Sequence, residues 1–334
     1  MERDRVVSII IPFYNVGNYV KETIKSLESQ IYREFEVIFV NDASTDKSLE
    51  IVKNSLKKVT FDYKIIDIQK NLGPSAARNT GLSKAEGEYV YFLDSDDILS
   101  KDMIKKVMDR FVYDNPDLVF FRFKRIDEEG KVVQNYNEIF DDVEKIKKSR
   151  DILKKYINLE LFLFTGNVVY RRELLKDICF NEDNVNSYYV EDQDFIIRVL
   201  LKSSTVGYID RDLIGYVQRK GSIMRSQFNL RRLNKVKIFN TFYEEYRQRD
   251  SELSRLFLKR RSKEILWVTR FYIKNESNLK DRSMANFLKE NILKGEIDAY
   301  LQWKFLRELK ARHKIQIFLL KYYPYLYVKI SKII

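Results

Sequence analysis

Three carboxylates follow directly on an apolar run in the first third of the chain. Residues 89–93 are aromatic and aliphatic, and Asp94, Asp96 and Asp97 come next. This pattern predicts a buried strand that ends in negative charge. Asp94 and Asp96 are two residues apart, so they point to the same side of an extended backbone. Their oxygens suit Mg²⁺ or Mn²⁺, while the alternative is an Asp-rich turn that caps a helix beginning near Ser100.

A second acidic pair, Glu191 and Asp192, precedes apolar residues at helical spacing, Phe195, Ile196 and Val199. Carboxylates at this place can complement the dipole of a helix. The other interpretation is that one of them is a general base, which takes a proton from a reacting hydroxyl. The sequence pattern around the pair leaves both interpretations open.

The chain has a single histidine, His313, and a single cysteine, Cys179. A histidine-based zinc site and a Ser–His triad are therefore excluded, and acid–base chemistry must come from Asp, Glu, Tyr or Lys. One cysteine forms no intramolecular disulfide, which indicates a reducing compartment. No apolar run approaches the roughly 20 residues of a membrane-spanning helix, and residues 6–11 are too few for a signal-peptide core.

Alternating strands and helices must position these carboxylates. Strands are predicted over residues 6–11, 36–40, 63–68 and 89–93, and helices over residues 21–30, 48–58 and 76–84. This alternation predicts an α/β fold with a mostly parallel sheet and right-handed crossovers. Tyr14, Asp42 and Asp94 then follow strand ends on one rim of the sheet, where ligands bind in such folds.

These three side chains are an aromatic face, a carboxylate acceptor and a metal ligand, which are parts that can hold a nucleoside diphosphate. Neither a G-x-G-x-x-G segment nor a P-loop Gly-Lys-Ser/Thr is present, which argues against a dinucleotide fold.

Four segments in this order resemble the successive motifs of family 2 glycosyltransferases. They are VSIIIPFYN (7–15), VNDASTD (40–46), NLGPSAARNTG (71–81) and FLDSDD (92–97). The resemblance covers about residues 5–220 and implies the GT-A fold, a Rossmann-like, mostly parallel sheet flanked by helices. It implies a catalytic domain over residues 1–225 and leaves residues 226–334 as a helical extension.

The resemblance also implies which side chains contact a UDP-sugar. These are Pro12, Tyr14, Asp42, Arg78, Asp94, Ser95 and Arg219. Pro12 and Tyr14 would line the uracil pocket, and Asp42 would accept a hydrogen bond from uracil N3–H. Asp94 would bind the ribose. For two of these residues ordinary roles stay open, because Asp42 can cap the turn at Ser44 and Arg78 can lie on the surface of a helix.

The metal and the base are implied in the same way. Asp96, with Asp94, would coordinate an Mn²⁺ or Mg²⁺ ion that bridges the diphosphate. Asp192 would be the base of an inverting transfer, with Glu191 as a supporting residue. Asp97 is expected to cap a helix.

Two further segments resemble parts of the family. Residues 165–172 would line the sugar and acceptor side, or form an ordinary strand with a glycine entry. Residues 216–224 would close over the diphosphate, with Arg219 as the contact, or form a solvated basic loop. This loop lacks the histidine that many relatives carry, which puts metal ligation by the loop in doubt.

The C-terminal part is predicted to be helical from Asn229 onward, and its end is basic and aromatic. After Glu308 there is no acidic residue, and Lys and Arg alternate with Tyr, Phe, Ile and Leu. With a net charge of +12, this composition favours an anionic membrane surface as a partner. The alternative is a docked terminal helix or a dimer contact. No nucleic-acid-binding motif is present.

We therefore expect a metal-dependent, inverting glycosyltransferase of the hexosyltransferase type. It would move a sugar from a UDP-sugar to a hydroxyl of an acceptor glycan. The acceptor is expected to be lipid-linked, in bacterial surface-polysaccharide synthesis at the cytoplasmic face of the membrane. The rivals are a nucleotidyltransferase and a non-catalytic nucleotide-sugar-binding or scaffold protein. The sugar, the linkage and the oligomeric state, including a homo-oligomer, stay open.

Overall fold

The computed structural model describes residues 6–135, 147–183, 190–219, 230–275 and 311–331, together with residues 283, 286 and 288. The chain divides into two compact units. The first contains Met1–Asn184 and Glu191–Ser222, and the second contains Val185–Val190 and Ile223–Ile334. The roles assigned to residues 1–225 and 226–334 stay predictions.

Over its described residues, the first unit is built on one nine-stranded sheet. Its strands are β1 (Val7–Phe13), β2 (Phe35–Asp42), β3 (Asp62–Ile68), β4 (Tyr89–Phe92), β5 (Ile98–Leu99), β6 (Leu118–Ile126), β7 (Val132–Asn135), β8 (Val168–Arg171) and β9 (Val206–Val217). The order across the sheet is β3-β2-β1-β4-β8-β6-β9-β5, and β7 pairs with β6.

The first four strands of the sheet are parallel, as the sequence predicts. β1 pairs in parallel with both β2 and β4, and β2 with β3. β8 then runs antiparallel to β4 and β6, while β9 is parallel to β6 and β5 is antiparallel to β9. The carboxyl ends of β1, β2 and β4 therefore share one edge, and Tyr14, Asp42 and Asp94 lie at that edge.

The three helices with predicted ranges lie close to their predicted positions. The α-helices described in this unit are α1 (Tyr19–Glu28), α2 (Ser48–Leu56), α3 (Pro74–Leu82), α4 (Met103–Asp114), α5 (Ser149–Asn158) and α6 (Glu191–Lys202). The helix predicted over residues 76–84 begins two residues earlier, at Pro74. Proline suits the first position of a helix, because it has no N–H to leave unpaired and its φ angle is already helical.

Helix α3 approaches the sheet closely at Gly81. A Cβ atom built there would overlap the side chain of Ile10 in β1 and would lie 3.3 Å from Cγ2 of Val40 in β2. Gly81 is therefore required for the depth at which α3 sits on the two strands. Ala76 and Ala77 on the same helix are also small and buried.

A buried polar network ties the starts of three strands together. The Ser8 hydroxyl donates to Oε1 of Glu36 over 2.7 Å, and it accepts the N–H of Gly87 over 2.8 Å. Glu36 also accepts the N–H of Glu86 at 2.9 Å, and its Oε2 lies 3.1 Å from the ammonium of Lys64. Ser8 is the single polar side chain in the apolar part of β1, and these contacts explain its position.

The second unit is helical over its described residues after Leu233, apart from short turns. Its helices are α7 (Asn234–Tyr246), α8 (Ser251–Asn275), α9 (Ala311–Tyr322) and α10 (Pro324–Ser331). One apolar cluster joins α7, α8, α9 and α10; among its members are Val236, Ile265, Val268, Ile317, Leu320, Tyr327 and Val328. Within the described parts of the chain, no helix is both long enough and apolar enough to cross a membrane.

The Ser8 network gives a prediction for stability. Ser8→Ala removes the acceptor of the Gly87 N–H and a donor to Glu36, and both groups are buried. Unsatisfied groups of this kind cost about 1–3 kcal/mol. We expect the free energy of unfolding to fall by about this amount in urea denaturation. Ser83→Ala is the matched control, because Ser83 is exposed and bonds only within its own helix turn. An equal loss in both variants would contradict the assignment.

Candidate active site

The acidic segment after β4 is a turn and not an extended strand. The N–H of Leu93 still donates to the carbonyl of Ile10 in β1, and the N–H of Asp97 then donates back to the carbonyl of Asp94 at 3.1 Å. The geometric reason for grouping Asp94 with Asp96, an extended backbone, is therefore wrong. The two carboxylates are nevertheless close enough that the charge of Asp94 raises the pKa of Asp96.

Burial and one nearby cation have opposite effects on the pKa of Asp96. Burial is the main cause that raises the pKa of Asp96 to about 6, and the negative charge of Asp94 adds to it. Arg219 acts in the opposite direction, because its Nε lies 2.8 Å from Oδ2 of Asp96. The Arg219 guanidinium also lies over the ring of Tyr19, 5.5 Å from its centroid. Arg219 thus contacts a carboxylate of the site.

Asp97 has a different role from the predicted helix cap. Helix α4 begins at Met103, and Asp102 precedes it at the cap position. Asp97 is only 1% exposed, and its Oδ1 accepts the N–H of Val217 at 3.0 Å. Burial raises the pKa of Asp97 well above its usual value. The carboxyl group holds the end of β9 beside the acidic turn, two residues before Arg219.

Arg78 joins the two acidic motifs. It lies on α3 and is 5% exposed, so the alternative of a surface arginine is wrong. One terminal nitrogen donates to Oδ1 of Asp94 at 2.9 Å, and the other lies 3.3 Å from Oδ1 of Asp192. Burial alone would lower the pKa of Arg78, but the charges of Asp192, Asp94 and Glu191 outweigh it and raise the pKa above its usual range. The guanidinium also faces the ring of Phe180 at 5.3 Å.

Glu191 and Asp192 open helix α6, as the sequence predicts. Burial, followed by the charge of Asp192, raises the pKa of Glu191 to about 7. Burial also raises the pKa of Asp192, against the opposing effect of Arg78. Among the described residues, the hydrogen bond to Asp192 comes from the Thr165 hydroxyl, which donates to Oδ1 over 3.4 Å. Thr165 and Arg78 therefore both approach Oδ1.

Thr165 belongs to the segment predicted to line the acceptor side. Thr165–Asn167 form a 3-10 turn, and β8 starts at Val168. Its carbonyl groups are used as well, because the Tyr91 hydroxyl donates to the carbonyl of Gly166 at 2.7 Å. The segment is thus a turn that reaches the candidate base, followed by the strand that the alternative interpretation described.

The residues assigned to the nucleotide lie at the ends of β1 and β2. Pro12 is partly exposed in β1, and Tyr14, just after it, is 43% exposed. Asp42 is 3% exposed, and its two oxygens accept the N–H groups of Leu72 and Gly73, each at 2.8 Å. Each carboxylate oxygen can accept a second hydrogen bond, so capacity for a base N–H is left.

Asp42 does not cap the turn at Ser44. The side-chain oxygen of Asn41 accepts the Ser44 N–H at 3.1 Å instead. Asn15, after β1, accepts the N–H of Thr45 at 2.8 Å and so joins the two loops. Ser95 is buried, and its carbonyl accepts the Thr23 hydroxyl at 2.9 Å. A direct contact of the Ser95 side chain with a donor stays a prediction.

The site residues thus form two groups. Asp94, Asp96, Arg78, Glu191, Asp192 and Arg219 are connected through ion pairs and mutual electrostatic effects, while Pro12, Tyr14 and Asp42 lie along the same sheet edge. The sequence reasoning missed Tyr19 and Phe180. It placed Thr165 in a segment on the acceptor side without a role of its own, and it assigned Asp97 to a helix cap. The backbone contact of Asp97 could have been considered, because a third carboxylate directly after a buried strand needs a partner.

The acidic turn fits a divalent metal by its chemistry. Asp94 and Asp96 are neighbouring carboxylates, and their repulsion raises the pKa of Asp96. No group of three or more His, Cys, Asp or Glu that could hold a metal occurs among the described residues. Mg²⁺ and Mn²⁺ are nevertheless often bound by one or two carboxylates, with phosphates and water as the other ligands. Arg219 already contacts Oδ2 of Asp96, so a metal held by Asp96 would share this carboxylate with the arginine or replace it there.

Comparisons with known proteins identify the family of this chain. The model of glycosyl transferase family 2 matches residues 8–179. The glycosyltransferase GlyA of Streptococcus pneumoniae is 31% identical over 233 residues, which are 66% of this chain and 32% of GlyA. TarS of Staphylococcus aureus, a poly(ribitol-phosphate) β-N-acetylglucosaminyltransferase, is 30% identical over 71% of this chain and 41% of TarS. The aligned part is therefore less than half of either relative.

Solved structures show the same fold. A crystal structure of TarS residues 1–349 superposes with a TM-score of 0.64 at 22% identity, covering 98% of this chain and 90% of that one. Another TarS structure, in complex with UDP-GlcNAc, has a TM-score of 0.59 at 23% identity. A mannosyltransferase from Pyrobaculum calidifontis, in complex with GDP-Man and Mn²⁺, has a TM-score of 0.54 at 15% identity.

The predicted GT-A fold is confirmed by these structures. The chain belongs to glycosyl transferase family 2, which confirms the family identified from its motifs. It therefore carries a glycosyltransferase domain.

The electrostatics of Glu191 predict a pH dependence of stability. Its pKa is about 7 in the folded protein against an ordinary 4.5, so between these values the folded chain binds a proton that the unfolded chain has lost. Such a group favours the folded state at low pH, and this advantage is lost as pH rises through the folded pKa. Glutamine resembles the protonated acid. We expect Glu191→Gln to match the wild type in Tm at about pH 4, below both pKa values, and to exceed it at about pH 8.

Thermal unfolding of the donor-free protein across this pH range measures the effect. Glu50→Gln is the control, because Glu50 is an exposed glutamate on α2. A difference in Tm between wild type and Glu191→Gln that did not change with pH would show that burial does not perturb this carboxyl group.

Proposed function

We propose that this protein transfers a sugar from a UDP-sugar to a hydroxyl group of an acceptor glycan, with inversion at the anomeric carbon. The observation that carries the proposal is the Arg78 bridge, which places the donor-side Asp94 and the candidate base Asp192 on one guanidinium. Membership of glycosyl transferase family 2 and the TarS complex with UDP-GlcNAc support the choice of reaction and donor.

Asp192 is the base in this proposal. The acceptor hydroxyl oxygen attacks C1 of the sugar and forms the new glycosidic bond, while the bond from C1 to the β-phosphate oxygen breaks and UDP leaves with the electron pair. The hydroxyl proton passes to Asp192. Burial raises the pKa of Asp192, which makes the carboxylate a stronger base, and Arg78 opposes protonation in the free enzyme. Thr165 fixes the orientation of the carboxylate through Oδ1.

The departing diphosphate needs positive charge. A divalent metal ion, when bound, supplies it by neutralising the charge that develops on UDP. Asp94 and Asp96 are the residues that would hold the ion. Arg219 is the neighbouring cation, and its side chain is 27% exposed, so it is the arginine that can move from Asp96 to a phosphate oxygen.

The uridine would occupy the edge formed by β1 and β2. The exposed ring of Tyr14 offers a face for base stacking, and Pro12 lies beside it in the chain. Asp42 keeps acceptor capacity for the uracil N3–H, although little of its side chain reaches the surface.

For the acceptor, we propose a lipid-linked oligosaccharide in the synthesis of a bacterial surface polysaccharide. Two observations support this acceptor: the relatives are bacterial glycosyltransferases, and the C-terminal part of this chain is basic and aromatic. Such an enzyme would work at the cytoplasmic face of the cell membrane.

A donor screen tests the proposed reaction. We expect slow release of UDP from one member of a panel of UDP-sugars in Mn²⁺ or Mg²⁺, without acceptor, and loss of this release in excess EDTA. Asp96→Asn should also abolish it. Asp109→Asn on α4 is the control, because Asp109 is exposed and pairs with Lys105 away from the site.

Failure of both turnover and calorimetric UDP binding in the presence of metal would refute the proposed donor. Release of pyrophosphate from UTP would support the rival nucleotidyltransferase. If the protein bound a UDP-sugar but did not turn it over, whichever acceptor glycan was added, the result would support the non-catalytic rival.

The role of Asp192 has its own test. Asp192→Asn keeps the shape of the side chain and a hydrogen-bond acceptor, but it cannot take the hydroxyl proton. We expect transfer to fall by about 10²–10⁴-fold with UDP binding largely retained. Asp194→Asn is the matched control, because Asp194 lies two residues further on the same helix and pairs with Arg198. Full activity of Asp192→Asn would exclude Asp192 as the base.

A further inference from the structure

The terminal helices of the second unit have apolar side chains on two opposite faces. On α9, Ile317 and Leu320 are buried, and with Tyr327 and Val328 of α10 they join the apolar cluster of that unit. This side of the two helices packs within the second unit, as in the alternative of a docked terminal helix given in the sequence analysis. It cannot also face a partner.

The opposite side of α9 is exposed and is also apolar. Ile315, Phe318 and Tyr322 are spaced by three and four residues, so they form one stripe along the helix. Ile315 is 59% exposed and Tyr322 is 52% exposed. The rings of Phe318 and Tyr322 lie 5.1 Å apart, so the stripe is a continuous surface.

The surface continues past the end of α9. Tyr323, Tyr325 and Leu326 are all exposed, at the junction with α10 and in its first turn. We call the exposed side chains of both helices the aromatic face; they are Ile315, Phe318, Tyr322, Tyr323, Tyr325 and Leu326. Six exposed apolar side chains within residues 315–326 are more than the single, scattered apolar residues that are normal on a protein surface.

Cations flank the aromatic face on the two terminal helices. Arg312 and Lys329 are exposed, Lys314 and Lys321 are partly exposed, and Lys321 lies 5.5 Å from the centre of the Tyr322 ring. From residue 309 to residue 334 the chain has no Asp or Glu. A second copy of this surface would bring like charges together, which disfavours self-association through this face.

We propose that the aromatic face binds the surface of an anionic lipid bilayer. Tyrosine suits the boundary layer, because its ring is apolar and its hydroxyl can reach water or headgroups. Lysine and arginine beside an apolar stripe are the pattern of helices that lie in the plane of a membrane surface. The sequence predicted that the whole C-terminal segment faces the membrane. The proposal assigns only its exposed side to the membrane, because the other side packs in the apolar cluster.

This surface shares no residue with the donor site, and only its biological meaning rests on the proposed function. Binding at the bilayer surface would give the enzyme access to an acceptor that is anchored in lipid.

Vesicle co-sedimentation of the full chain tests the proposal. We expect the wild type to bind vesicles of phosphatidylcholine mixed with phosphatidylglycerol about tenfold or more tightly than vesicles of phosphatidylcholine alone, with binding weakened by salt. The double variant Ile315→Ser, Tyr322→Ser should lose about tenfold in affinity for the mixed vesicles.

The matched control is Val112→Ser, Tyr113→Ser on α4. It also removes one exposed β-branched aliphatic residue and one exposed tyrosine, which are 62% and 80% exposed. It should bind vesicles like the wild type. Equal binding by the two double variants, or absence of wild-type binding to mixed vesicles, would overturn the proposal.

Light scattering adds a second readout. A wild-type dimer that Ile315→Ser, Tyr322→Ser converts to a monomer, without vesicle binding, would show that the face contacts a second copy. Calorimetric titration with UDP and Mn²⁺ is measured on the same samples. If the wild type bound vesicles but not UDP, the result would contradict the proposed function and leave the proposed membrane contact intact.

Discussion

Like charges held together out of water are the constraint on which the site depends. Asp94, Asp96, Glu191 and Asp192 come from two distant parts of the chain, and burial raises the pKa of three of them. Such a group can stay ionised only beside cations. Arg78 serves Asp94 and Asp192, and Arg219 serves Asp96. The fold brings α3, β4, α6 and the end of β9 to one edge, and this arrangement supplies both arginines.

The two arginines differ in what they can do. Arg78 is buried and contacts two carboxylates, so moving it would leave both without their cation, which is costly in a buried place. Arg219 contacts one carboxylate and is more exposed, so it can exchange that partner for an anionic group of a ligand at lower cost. Asp97 holds the chain two residues before Arg219. The backbone just before Arg219 is therefore held in place, while the guanidinium at the end of its side chain can change partner.

Much of this could be predicted from the sequence because the signals are local. Apolar runs gave β1, β2 and β4, and carboxylates directly after a strand or before a helix gave Asp94 and Asp192. The Arg78–Asp192 pair could not be predicted, because nothing local indicates which acidic residue a helical arginine meets. The role predicted for Asp97 was wrong for a similar reason, because its partner is a backbone N–H of a strand far along the chain. On α9, Phe318 and Leu320 look equally apolar in sequence, and only packing on α8 separates exposed from buried.

Gly81 connects the packing of the sheet to the charges at its edge. Replacing a helical glycine with alanine is a general route to thermostability, because it restricts the unfolded chain. At Gly81 the added methyl group would overlap Ile10, so α3 would have to lift from β1. Arg78 lies one turn earlier on the same helix and would be carried away from Asp94 and Asp192. The helix that holds the central arginine therefore cannot be rigidified at this position without displacing the arginine, and heat resistance must be engineered elsewhere in the chain.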